Sequence, residues 1–159
     1  MNLKRLDGEA RASVPSLDDQ ATLTRGLEQI GAHENAFTEA FYALFFERRP
    51  DTLALFGVHS ISEREEMMRE TLHSLFAVNE GEPWLRGNLL ALGESHAEYG
   101  VTADMYDSYC EVFVDTAQKM LGDDLKDREL KALRDAIFEV ARLMREAGTF
   151  DDRAPMEQA

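Results

Sequence analysis

Leu92-Gly93-Glu94-Ser95-His96-Ala97-Glu98-Tyr99-Gly100-Val101 is the stretch on which the reading of this chain turns. It sets one imidazole near the C-terminal end of an apolar helix and follows it with a tight turn. From Trp84 to Ala97 the apolar positions Leu85, Leu89 and Leu92 recur at helical spacing, and His96 follows Leu92 by four residues on the same stripe. Downstream, Thr102 or Asp104 can start a further helix in which Tyr106, Tyr109, Cys110, Phe113, Val114 and Met120 cover a broad face.

Working outward, the remaining segments read the same way. Ser16-Leu17-Asp18-Asp19 has a serine cap and acids in the first turn, and Leu17, Leu23, Leu27 and Ile30 carry a helical stripe to Gly31. A second helix is expected from about Asn35 to Arg49, with Phe37, Phe41, Leu44 and Phe45 on one face. Pro50 opens a short turn, and Leu53, Leu55 and Phe56 form an apolar corner. Ser62-Glu63-Arg64-Glu65 has the form of a capping box, with Met68, Leu72, Leu75 and Phe76 as the stripe of the helix it starts. After Gly122-Asp123-Asp124, a last helix from about Asp127 to Ala147 turns Leu130, Leu133, Ile137, Val140, Ala141 and Met144 inward, with Gly148 as its stop. No segment alternates as a strand does, and there is no internal repeat or glycine-rich phosphate loop. The class is all-α, and six or more unequal helices with proline corners suit a crossed-helix globule better than a bundle of four equal helices.

The 159 residues suffice for one core, expected over 16–148 between an N-terminal arm at 1–15 and an acidic tail at 149–159. With 31 acidic against 17 basic residues the net charge is -14, which repels phosphate backbones and anionic bilayers, so neither nucleic acid nor membrane is an expected partner. The single cysteine, Cys110, excludes an internal disulfide and a cysteine-rich metal site. With no signal-peptide core and no membrane-length apolar run, the expected location is the cytoplasm.

Four features, in order, carry a resemblance: Phe41-Tyr42 followed by Leu44-Phe45-Phe46 and Pro50, Phe56 fourteen residues after Tyr42, His96, and Tyr106 ten residues after His96. Over roughly residues 17–147 the chain resembles the globin domain of flavohaemoglobins and the bacterial single-domain haemoglobins. The resemblance implies a globin fold, a crossed-helix sandwich around a haem b pocket. In it His96 is the proximal iron ligand, Phe56 wedges against the haem from the corner, and Tyr42 points at the bound ligand. Leu92 and Val101 line the proximal side with Tyr106, while Tyr109 approaches the distal side as a second phenol. Read on its own, a histidine near a helix end is also a capping or dipole-stabilising residue.

Counting back from His96 without a gap puts Arg64 at the distal polar position, usually Gln or His in relatives, and Met68 at the apolar position one turn later. A shift of three or four residues puts Met67 or Met68 at the polar position and leaves Tyr42 as the only donor. A phenol in a dry pocket favours dioxygen over uncharged carbon monoxide, since hydrogen bonds to charged acceptors exceed the usual ~1 kcal/mol. Relatives also tie the proximal histidine to a Tyr and a Glu. Tyr106 matches the first, while at the second Glu146 is near and Gly148 is closer to register. Of the other histidines, His33 and His73 read as exposed, and His59 sits in the corner where it can close on the iron as a sixth ligand.

The resemblance implies a protein that binds dioxygen or another diatomic gas, with nitric oxide dioxygenation as the implied chemistry. Without a flavin or nicotinamide segment here, that chemistry calls for an external reductase. Two alternatives remain open: a gas sensor acting through a partner protein, and a haemless globin-fold interaction module. The protein is expected to be a monomer or a homodimer.

Overall fold

Ser16 accepts a hydrogen bond from the Asp19 amide at 3.2 Å and opens helix α1, Leu17–Gly31. In the computed structural model, which describes residues 16–56 and 60–151, five more helices follow. They are α2 (Glu34–Arg48), α3 (Ser60–Glu80), α4 (Leu85–Glu98), α5 (Ala103–Leu121) and α6 (Asp127–Asp151). The described residues contain no strand. The proposed arm at 1–15, His59, and the tail beyond 151 lie outside them.

Local chemistry explains where the helices break. Pro50 has no amide to donate and disfavours helical geometry at its predecessor, so α2 stops at Arg48 and Arg49 takes φ -132°, ψ 70°. A 3-10 turn, Pro50–Leu55, makes the corner. The Arg49 guanidinium grips Asp51 at 2.8 Å and Asp104 at 3.1 Å, which ties that corner to the first turn of α5. Gly100, at φ +99°, turns the chain after α4, and the Val101 amide donates back to the His96 carbonyl at 3.0 Å.

Helix α6 is the central element: α4 packs on it most extensively, and α5, α1 and α3 also lie against it. Two glycines allow these close approaches. A Cβ on Gly93 of α4 would collide with the Met144 carbonyl of α6, and one on Gly26 of α1 would sit 3.2 Å from the Leu133 side chain. Across the molecule α2 packs on α5 through an aromatic cluster, with Phe37 and Phe113 rings edge-on at 5.3 Å and Phe41 and Tyr109 at 4.6 Å. Such pairs add about 0.5–1.5 kcal/mol each beyond the area they bury. The start of α6 is held by Glu129, which accepts from the Lys126 amide at 3.0 Å and from Arg25 of α1 at 3.2 Å.

Four expectations need correcting. Helix α3 begins at Ser60, so Ser62 lies inside its first turn and does not cap it. The sequence holds two overlapping S-x-x-E frames, Ser60/Glu63 and Ser62/Glu65, and pattern alone does not choose between them. Helix α6 continues through Gly148 to Asp151, because a glycine permits a left-handed stop without imposing one. Leu17 and Met120, assigned to apolar stripes, are exposed, and each stands at the end of its helix.

Candidate functional site

A cavity of about 640 Å³ opens where α2, the Pro50–Leu55 corner, α3, α4, α5 and α6 converge. That volume is in the range of small-molecule and cofactor sites, roughly 300–1,000 Å³. Its walls are largely apolar: Phe45, Leu55 and Phe56 from one end, Met67 from α3, Val101 and Met105 near the turn, and Ile137, Val140 and Met144 from α6.

His96 is the basic ring in this wall. Its Nδ1 lies 2.7 Å from the Leu92 carbonyl oxygen, one turn back on α4. A carbonyl only accepts, so the neutral ring carries its proton on Nδ1 and keeps the lone pair on Nε2. That is the tautomer a metal-ligating histidine needs, held by a backbone group that also sets the plane of the ring. The Tyr106 ring lies 6.3 Å from the His96 ring, tilted by 33°. Its hydroxyl is buried without a hydrogen-bond partner, and burial pushes its pKa up to about 12 against the opposing Arg145 charge. Glu146 does not complete a relay to Tyr106, because it is engaged by Arg86 at 2.9 Å and Arg142 at 3.0 Å.

On the other side the uncharged polar groups are hydroxyls, beside the α3 glutamates Glu63, Glu66 and Glu70. Tyr109 lines the cavity and pairs with Thr71 at 2.9 Å; Thr71 in turn donates to the Met67 carbonyl at 2.8 Å. Burial raises the Tyr109 phenol to about 12, with the Thr71 and Tyr42 hydroxyls pulling it back. Tyr42 stands one layer behind the lining, 1% exposed, with its ring 5.6 Å from those of Phe56 and Phe46. Its hydroxyl is buried and has no hydrogen bond of good geometry. Burial holds its pKa far above the ordinary phenol value, Tyr109 adds to the rise, and Arg64 opposes it.

The structure thus gathers His96, Phe56, Val101, Tyr106 and Tyr109 around one cavity, with Tyr42 immediately behind. It does not bring Arg64, Met68 or Leu92 into the lining. Arg64 lies over the Phe46 ring at 5.6 Å, outside the cavity wall. Met68 is wholly buried in the core, and Met67 faces the cavity in its place. Leu92 supplies its carbonyl to His96 while its side chain packs against the core. The cause is rotation: α3 turns Glu63, Glu66, Met67, Glu70 and Thr71 to the cavity, and one residue of register is 100° around a helix.

Thr71 and Phe45 were not among the expected site residues, and Met67 entered only as an alternative to Arg64 at the distal polar position. Thr71 left a trace in the sequence, as a small hydroxyl four residues from Met67 and beside the apolar stripe. Three glutamates of α3 line the cavity, and no lysine or arginine does so among the described residues. His33 and His73 are exposed, and His73 stacks on Trp84 at 5.4 Å. No described helix is long and apolar enough to cross a membrane.

No family model matches the sequence, and no curated protein does. Among solved structures the chain is similar to a flavohaemoglobin from Malassezia yamatoensis, determined with bound FAD and haem, with a TM-score of 0.69 at 20% identity. The similarity covers 84% of this chain and 36% of that one, so this chain spans about a third of that protein's length. That similarity, with the all-helical structure of the described residues, shows the fold of this chain to be an all-α globin fold.

Proposed function

We propose that the cavity holds haem b, with Nε2 of His96 as the axial ligand of the iron, and that the protein binds a diatomic gas on the opposite face. The observation that carries this reading is the fixed tautomer of His96: Nδ1 is committed to Leu92 O at 2.7 Å, and the ring lines an apolar cavity of about 640 Å³. The residues fit such a group in a second respect. The buried Tyr42 hydroxyl, behind Phe56 and Phe45, lacks a partner, which a polar diatomic ligand would supply. The solved flavohaemoglobin with this fold contains haem, which supports the same assignment.

Bound there, haem iron supplies the open coordination position and the electron for gas chemistry. The chain supplies the rest. His96 would hold the iron through Nε2, and Leu92 O fixes the orientation of the imidazole. Phe56, Val101, Met105 and Met144 would give such a group an apolar wall that excludes water. Tyr42 stays protonated across the physiological range because burial raises its pKa, so it is a neutral donor toward partial negative charge on the gas. Dioxygen and nitric oxide are the ligands this suits, and nitric oxide dioxygenation is the reaction proposed, with an external reductase as electron source.

The absorption spectrum of haem-loaded protein in ferric, ferrous and carbon-monoxide forms tests this reading. A Soret band lost in His96→Ala is the expected result. Trp84 is the single tryptophan, so quenching of its fluorescence reports haem uptake independently. Wild-type protein that takes up no haem by either measure would overturn the proposal and leave a globin fold without a cofactor.

A further inference from the structure

The Pro50–Leu55 corner and the turn between α4 and α5 are the two lips of one edge of the cavity. Thr52, Leu55 and Phe56 line it from the first, and Tyr99, Val101, Met105 and Tyr106 from the second. The lips approach each other at Leu55, whose Cδ2 lies 4.0 Å from where a Cβ on Gly100 would be. Arg49 joins them. Its carbonyl accepts from the Thr52 amide at 3.0 Å and from the Thr52 hydroxyl at 2.6 Å, which shapes the corner from within. Its guanidinium donates to Asp51 from Nε at 3.0 Å and Nη2 at 2.8 Å, and Nη1 reaches across to Asp104 at 3.1 Å and to the Ser108 hydroxyl at 3.2 Å. The Thr102 hydroxyl donates to Oδ1 of Asp104, which leaves Oδ2 turned to Arg49. A planar fork holds both carboxylates at once, as a point-like ammonium does not.

Little else holds the corner shut. It packs chiefly on α2, Leu53 is 53% exposed and Ala54 is exposed too, so few buried contacts oppose its movement. We infer that the corner is a strap across one edge of the cavity, that the Arg49–Asp104 bridge is its latch, and that the occupant of the cavity enters and leaves where the strap lifts. Arg49 is thus a positioning residue for the cavity wall. The latch is weak enough to open, because the Asp104 side chain is 71% exposed and such pairs hold loosely. The Asp51 contact lies within the strap and moves with it. Strap and latch stand on the protein alone; that the occupant is haem rests on the reading above.

Cys110 is the single cysteine, 1% exposed and part of the same cavity wall, so its reaction with a thiol reagent reports opening without any cofactor. In haem-free protein, Arg49→Gln and Asp104→Asn are each expected to speed labelling of Cys110 about threefold, the factor of an exposed ion pair. Asp51→Asn leaves the bridge in place and is expected to leave the rate unchanged, while Arg49→Lys restores it only in part. Dilute urea separates the strap from general loosening. Lifting it exposes little surface, so labelling should stay nearly flat with urea, whereas labelling through global unfolding climbs steeply. A steep climb, or an equal acceleration in Asp51→Asn, overturns the latch.

In haem-loaded protein the same two latch variants are expected to lose haem to excess apomyoglobin about threefold faster than wild type. Unchanged haem loss beside accelerated labelling would overturn the strap as the way out for the occupant. Accelerated labelling in a protein that shows no Soret band leaves the strap standing and defeats the haem reading alone.

Discussion

Gly93 of α4 and Met144 of α6 meet backbone to backbone: a methyl group at Gly93 would run into the Met144 carbonyl. This contact lies three residues before His96, on the helix that carries it, so the seat of the imidazole depends on the absence of a side chain at Gly93.

Gly93→Ala is expected to force α4 away from α6, at about 1–3 kcal/mol for an overpacked contact. Gly87, on the same helix, has nothing within 4 Å of where its Cβ would be. Gly87→Ala is therefore expected to stabilise by about 0.5–1 kcal/mol, through helix propensity and a stiffer unfolded chain. Urea unfolding of the two variants measures both signs. Equal effects would mean that the α4–α6 contact is not close.

Adjacent methionines are expected to behave differently. Met68 is fully buried, and Met68→Ala should cost about 2–5 kcal/mol in thermal or denaturant unfolding. Met67 faces the cavity and is half-buried, so Met67→Ala should cost well under that and enlarge the cavity instead. A larger stability loss at Met67 would reverse the rotation of α3 described above.

Tyr42→Phe separates folding from function. Removing a buried hydroxyl that lacks a partner is expected to leave the haem-free protein as stable as before, or more stable by about 1 kcal/mol. If Tyr42 is the donor, the same change should speed dioxygen release by roughly tenfold, since bonds to charged acceptors are worth about 1.5–3 kcal/mol. Stopped-flow displacement and urea unfolding read the two effects separately.

The Glu129 carboxyl lies below its ordinary value of 4.5, first because the Lys126 amide donates to it and then because Arg25 does. A depressed carboxyl stabilises the fold above its unfolded pKa, and that contribution disappears as pH falls through the depressed value. Stability is thus expected to decline below about pH 4.5 partly through this group. Glu129→Gln should lose on the order of 1 kcal/mol at neutral pH. It should also show a shallower acid decline, measured by thermal unfolding from pH 3 to 7.

Much of this was legible in the chain because it is local. Helix order followed from apolar spacing, the α2 stop from Pro50, the turn after α4 from Gly100, and the prominence of His96 from its place at the end of the Leu85-Leu89-Leu92 stripe. Each depends on residues within one or two turns of one another, whose geometry periodicity and backbone sterics dictate. The cavity face of α3 was not legible. Arg64 and Met68 came from counting back from His96 without a gap, and that count carries no information about how α3 is rotated against α4 and α5. The Thr71–Tyr109 bond joins residues 38 apart, and Gly93 meets Met144 across two helices. Spacing along a helix is a property of sequence, whereas rotation between helices is decided only when all the faces pack together, and that rotation selects which hydroxyls look into the cavity.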